Sequence, residues 1–273
     1  MPKNTPTPAE SKDLAVISEE QLNELKDLTG ESEGEIHRMQ FPRVGFTPFS
    51  KDLAKSAKQE GKDEFEHAGR FQTTKKNEAG EYEVKFTEPL REIEISVILE
   101  RKKLSYFNDA TGSFVSSAEF DFNDEVIPLF EARKRIAQGS VEELQARYLY
   151  TDKDGKEKSN LKIEKVLYVK YNGEVYTLTF KGTNMFAYSK YKHSLPKHLS
   201  VSTVKTKITN HIEENGAQKW VLCDFENVGM LDFKEVLDDV RALRSALITE
   251  KALYGGTQRV MSVEETKKLQ EEN

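Results

Sequence analysis

Nine lysines and seven aromatic rings are interleaved between Leu161 and Asn210. The lysines are Lys162, Lys165, Lys170, Lys181, Lys190, Lys192, Lys197, Lys205 and Lys207. The rings are Tyr168, Tyr171, Tyr176, Phe180, Phe186, Tyr188 and Tyr191. Against the nine lysines stand only Glu164 and Glu174, so the stretch carries about +7 and leaves about −13 on the rest of a chain of net charge −6. Binding of single-stranded nucleic acid needs this pairing of groups. Cations track the phosphates, and exposed rings stack on unpaired bases for about 1–3 kcal/mol each. A plain solvated sheet draws on the same residue types, because Tyr and Thr favour strands and lysine protects their edges. Which face each ring occupies therefore decides between the two.

Tyr171-Asn172-Gly173-Glu174 sorts the faces. Asn-Gly supplies the two positive-φ residues of a type I′ turn, and a two-residue loop fixes the register of the strands it joins. Tyr171 then pairs with Glu174, Val169 with Tyr176, Leu167 with Leu178 and Lys165 with Phe180. One face carries Ile163, Leu167, Val169, Tyr176, Leu178 and Phe180 and is expected to be the core. The other carries Lys162, Tyr168, Lys170, Thr177, Thr179 and Lys181, a basic and hydroxylated surface with one ring at its centre. Lys205 and Lys207, on a neighbouring strand, are expected to extend it.

Other chemistries lack their residues. His37, His67, His193, His198 and His211 form no metal-ligand spacing; a Pro-containing turn separates His193 from His198. Glu92 and Glu94 share one face of a strand and could hold magnesium, but a solvated strand explains them better. Asp152-Lys153-Asp154-Gly155 opens like a calcium loop without the later ligands, and reads as an Asp-Gly turn. There is no nucleophile elbow, phosphate loop or dinucleotide fingerprint. Cys223, the single cysteine, lies in an apolar run and is expected to be a buried structural thiol in a reducing compartment. No enzyme activity, metal or cofactor is expected.

The elements that must position the basic face follow from periodicity. No apolar run approaches the roughly 18 residues of a membrane span, and the N-terminal residues lack the apolar stretch of a signal peptide. A cytoplasmic protein is expected. Residues 1–34 read as a tail with one weak helix, 35–254 as an antiparallel β-rich domain, and 255–273 as a polar tail. Pro42 makes the segment around Ile36–Val44 an edge strand at best. Strands are expected over Glu64–Thr73, Glu81–Thr87, Ile93–Leu99, Ser200–Ile212 and Gln218–Phe225. Asn123–Tyr148 reads as irregular with a helix start at Ser140. Asp232–Leu253 is the best-formed amphipathic helix, with Leu243 and Leu247 on its apolar face. The fold class is α+β: mainly antiparallel sheet, with a C-terminal amphipathic helix and polar tails.

An acidic helical lead-in, then Glu35–Pro42, strands, the run Val166–Thr183 ending Lys181-Gly182-Thr183, and a helix-like Tyr188-Ser189-Lys190-Tyr191 make up the layout. It resembles phage-encoded single-stranded DNA-binding proteins with an OB-like barrel. Such proteins often carry cysteines in an inserted loop and a strongly acidic terminal tail; this chain has neither. The resemblance implies a DNA-binding accessory of phage or mobile-element replication or recombination, with single-stranded DNA as partner. The nucleic-acid-binding residues would be Lys162, Tyr168, Lys170, Lys181, Lys205 and Lys207. An annealing recombinase that forms rings is a variant of this reading. The alternative is a non-enzymatic interaction or scaffolding module that docks protein partners through its terminal helices.

Overall fold

A computed structural model describes residues 41–254, except residues 78, 122, 123, 133 and 217, with backbone only for 248–254. The expected N-terminal helix and the C-terminal tail lie outside the described residues. Thirteen strands are described: β1 (Arg43–Phe46), β2 (Phe71–Lys76), β3 (Tyr82–Phe86), β4 (Glu92–Asn108), β5 (Ser113–Ser117), β6 (Ile127–Glu131), β7 (Lys134–Gly139), β8 (Leu149–Thr151), β9 (Glu157–Ser159), β10 (Lys162–Tyr171), β11 (Glu174–Phe180), β12 (Val204–Asn215) and β13 (Gln218–Met230). The helices are α1 (Lys51–Gln59), α2 (Val141–Ala146), α3 (Gly182–Ser194) and α4 (Phe233–Tyr254).

The β10–β11 hairpin has the register that its turn dictates, from Tyr171 opposite Glu174 to Lys165 opposite Phe180. Asn172 and Gly173 take φ of 50° and 82°, the type I′ geometry. Around it the main sheet runs β3-β2-β1-β11-β10-β4-β5-β6-β7. The 17-residue β4 pairs with β10 along one edge. On its other edge its N-terminal half pairs with β12 and its C-terminal half with β5, so the sheet forks there. A small separate sheet joins β8 to β9.

Three expectations change. The sheet is mixed, because β1 runs parallel to β11. It is also open, with β3 and β7 at its ends, so it does not close into a barrel. And β1 is internal: Pro42 sits just before it, where only its carbonyl is needed, and that oxygen accepts from Thr177 N at 2.9 Å. The segment read as irregular supplies β6 and β7, together with the expected helix α2, whose Ser140 and Glu143 form a reciprocal capping box.

Apolar side chains collect in three places. The first core holds the predicted face of the hairpin, with Leu167, Val169, Tyr176, Leu178 and Phe180 buried against Ile93, Ile95, Val97, Tyr188, Tyr191, Ile208 and Cys223. The second lies under β5, β6 and α2, around Leu104, Val115, Leu129 and Leu144, and Ile163 packs there. The third lies on the opposite side of the hairpin. There Ile98, Val166 and Tyr168 pack under Leu243, Val240 and Leu247 of α4 and under Phe41. The sheet therefore carries α3 on one face and α4 on the other.

Candidate nucleic-acid interface

The helix α4 lies across the face that sequence left in solvent. Asp232 Oδ1 caps its first turn by accepting from Glu235 N at 3.0 Å, and its apolar stripe needs an apolar partner. Val166, Tyr168 and Val175 supply one. Tyr168 is 3% exposed, its ring edge-on to Phe41 at 5.2 Å between centroids, and its hydroxyl donates to Glu119 at 2.6 Å. The expectation that Tyr168 stacks on a base is corrected: the ring belongs to the core beneath α4.

The lysines also separate. Lys170 donates to both carboxylate oxygens of Asp239 on α4, at 2.8 and 3.1 Å. Lys205 and Lys207, on β12, are paired to Glu94 and to Glu92, the latter at 2.7 Å. Those pairs account for the two glutamates sharing a face. Lys165 and Lys192 meet on Glu100, at 3.7 and 2.8 Å, where Tyr188 also donates at 2.7 Å. Burial opposes the charge on Glu100, yet the bonds from Lys192 and Tyr188 hold its carboxyl below the ordinary range. So five of the nine lysines are paired to carboxylates from other segments, and five of the seven rings are buried. Of the six predicted site residues, only Lys162 and Lys181 lie on the part of the face that α4 leaves open.

That open part is larger than the hairpin, and the ladders trace it. Tyr168 is opposite Thr177, Thr177 opposite Arg43, Arg43 opposite Thr74, and Thr74 opposite Val84. In the other direction Glu164 is opposite Lys103, Lys162 opposite Ser105, and, one pair further along β4, Phe107 is opposite Phe114. Paired residues in a ladder project to the same side. One continuous surface thus runs from Tyr82, Val84 and Phe86, through Thr74, Arg43, Thr177 and Thr179, to Lys181, Lys103 and Lys162, and on to Phe107 and Phe114. It crosses six strand spacings, roughly 29 Å along the sheet.

Its electrostatics centre on one buried carboxylate. Glu164 accepts from Ser105, and lies 2.5 Å from Lys181 and 3.8 Å from Lys103. Burial lowers the pKa of Lys103, and the nearby charges of Arg43 and Lys181 add to this against Glu164 and Glu119. Arg43 and Lys162 are exposed. Among the described residues neither is held in an ion pair, and Lys162 Nζ sits 5.7 Å from the centre of the Tyr150 ring. Glu119 and the Arg101–Asp121 pair, 2.9 Å apart, border the surface on the α4 side. At its ends the rings are in water: Phe107 is 44% and Phe114 61% exposed, packed edge-on at 4.9 Å, while Tyr82 is 64% exposed.

Sequence reasoning missed Arg43, Lys103, Phe107 and Phe114. Arg43 followed a proline taken to mark an edge. The expected alternation of Ile93, Ile95, Val97 and Leu99 breaks at a bulge after Val97, which turns Leu99, and with it Arg101, Lys103 and Phe107, to the opposite face.

Among the described residues, no group of three or more His, Cys, Asp or Glu is placed to hold a metal ion. Cys223 is buried, its Sγ 3.0 Å from Asn210 Oδ1, and burial raises its thiol far above the range of a reactive thiolate. The turn at Asp152 is closed by its own backbone, with Oδ1 accepting from Asp154 N and Lys156 N at 2.9 Å. A cleft between α4 and the sheet, lined by Ser96, Lys170, Glu235 and Asp239, measures about 50 Å³. A small-molecule site ordinarily needs several hundred. No described helix is long and apolar enough to cross a membrane.

No protein-family model matches the chain, and no curated protein or solved structure matches it either.

Proposed function

We propose that the open face binds single-stranded nucleic acid, single-stranded DNA in the first instance, and that it does so without catalysing a reaction. One observation carries the reading: exposed rings stand at both ends of a surface whose middle holds Arg43, Lys103, Lys162 and Lys181 around the single buried carboxylate Glu164. Phosphates would be held by those cations and by the hydroxyls of Thr74, Thr177 and Thr179, and bases would stack on Phe107, Phe114, Tyr82 and Phe86. The sheet path of roughly 29 Å suits the few nucleotides that one such platform engages. Duplex DNA fits less well, because its bases are already stacked and the chain as a whole is acidic.

On the resemblance of the sequence layout to phage-encoded single-stranded DNA-binding proteins we propose, in addition, a cytoplasmic accessory role in replication or recombination. A protein-interaction module is the second reading, favoured by the apolar residues that β3 leaves exposed.

The test is fluorescence anisotropy with a labelled oligonucleotide, single-stranded against duplex, across a salt series. Single-strand binding that is preferred over duplex and weakens steeply with salt supports the proposal. No single-strand preference at low salt overturns it.

A further inference from the structure

The edge strand β3 leaves one backbone edge uncovered among the described residues. Its five residues, Tyr82-Glu83-Val84-Lys85-Phe86, are all exposed. The ladder with β2 shows which backbone groups point outward. Thr87 N donates to Phe71 O at 3.0 Å, and Asn77 N donates to Glu81 O at 2.8 Å. With the register of Lys75 opposite Glu83 and Thr73 opposite Lys85, the odd-numbered residues spend their backbone bonds on β2. In an antiparallel ladder the alternate residues face the other way. So the N–H and C=O groups of Tyr82, Val84 and Phe86 are presented to the free edge.

Edge strands of this kind are usually blunted by a proline, a bulge or like charges. β3 instead carries one acid and one base placed symmetrically about Val84. We infer that the partner is a second copy of this chain, bound antiparallel with a two-fold axis at Val84. In that arrangement Val84 exchanges both backbone bonds with its own copy, and Tyr82 and Phe86 exchange theirs with each other's copies. Glu83 of each chain then falls opposite Lys85 of the other, at the closer, non-hydrogen-bonded positions. Within one chain these two already bridge at 3.0 Å while remaining well exposed. A parallel pair, or an antiparallel pair shifted by one residue, loses either the charge match or the outward backbone match. Opposed copies of Tyr82, Val84 and Phe86 also lie on one face, so the proposed binding surface would continue across the two-fold into the partner. Because the contact is a single strand, the dimer is weak and concentration-dependent, with dissociation in the micromolar range.

The inference is independent of nucleic-acid binding and is tested without it. Sedimentation equilibrium of the full chain at low salt should show a reversible monomer–dimer equilibrium. E83K and K85E each place like charges opposite each other at two symmetric contacts, and each should weaken dimerisation about tenfold or more. An equimolar mixture of the two variants restores both opposite-charge contacts and should return dimer at close to wild-type affinity, as should the double exchange E83K/K85E. A wild-type chain that stays monomeric throughout the micromolar range overturns the inference. So does a dimer that E83K leaves unchanged, or a mixture of the two variants that does not associate.

Discussion

The Tyr168 hydroxyl donates to the Glu119 carboxylate at 2.6 Å, in a space closed by Phe41 and Leu243. This bond ties β10 to the segment after β5 and places the ring in the core beneath α4. Tyr168→Ala should therefore destabilise the fold by about 3–5 kcal/mol, as for any large buried ring. Tyr168→Phe keeps the packing and loses one hydrogen bond, and should cost about 1–2 kcal/mol. It should leave oligonucleotide affinity unchanged, which chemical denaturation and anisotropy on the same variant would check.

Stacking is assigned instead to the exposed ring pair. Phe107→Ala and Phe114→Ala should each weaken single-strand binding by about 1–3 kcal/mol. The thermal midpoint should move little, since the two rings are in water and contribute mainly an edge-on pair contact. A large loss of stability with unchanged binding would make them hairpin residues only.

The lysines should divide by position. Lys181→Ala should lower the salt dependence of single-strand binding by about one unit of slope. Lys205→Ala should not change that slope, because Lys205 stands on β12, outside the open face, where it is paired with Glu94. Parallel salt titrations of the two variants measure the difference.

Alkaline pH offers a separate check on Lys103. Its pKa is depressed, first by burial and then by the charges of Arg43 and Lys181. Since a phosphate binds the charged form better, affinity should fall as pH rises through that lowered pKa, below the ordinary lysine value of about 10.4. Lys103→Arg stays charged throughout this range and should abolish that part of the loss. Anisotropy titrations carried from neutral pH up to the ordinary lysine value would show it.

How far sequence reached is plain at the hairpin and at its cover. The register of β10 and β11 was legible because Asn172-Gly173 admits one turn type, and the buried face followed from it. The cover was not. Lys170, Thr177 and Lys181 made the other face look solvated, whereas Val166, Tyr168 and Val175 on the same face were the apolar partner that Leu243 and Leu247 required. Each pattern was visible by itself, but sequence does not say which amphipathic helix lies on which half-apolar sheet. The fate of the lysines was hidden for the same reason. Glu92, Glu94, Glu100 and Asp239 lie far away along the chain, and only the ladders and α4 bring them to Lys207, Lys205, Lys192 and Lys170.

Acid should act through Glu100. Burial raises its pKa, but the bonds from Lys192 and Tyr188 outweigh this, so the folded value lies below the ordinary 4.5. A depressed folded pKa contributes stability that is fully present above about pH 4.5 and is lost as pH falls through the folded value. Glu100→Gln should lower stability at pH 7 by about 1–3 kcal/mol and flatten the acid side of the stability curve. Denaturant titrations at pH 7 and pH 3 on both proteins would check the sign.

The central claim is that single-stranded nucleic acid lies on the open face between Phe107 and Tyr82. Ultraviolet cross-linking of the full chain to a single-stranded oligonucleotide, with the linked peptides mapped by mass spectrometry, tests occupancy and position together. The predicted result is cross-links concentrated on Phe107, Phe114, Tyr82 and Phe86, lost on addition of salt. Cross-links confined to other surfaces, or none under conditions where a known single-strand binder is labelled, would contradict it.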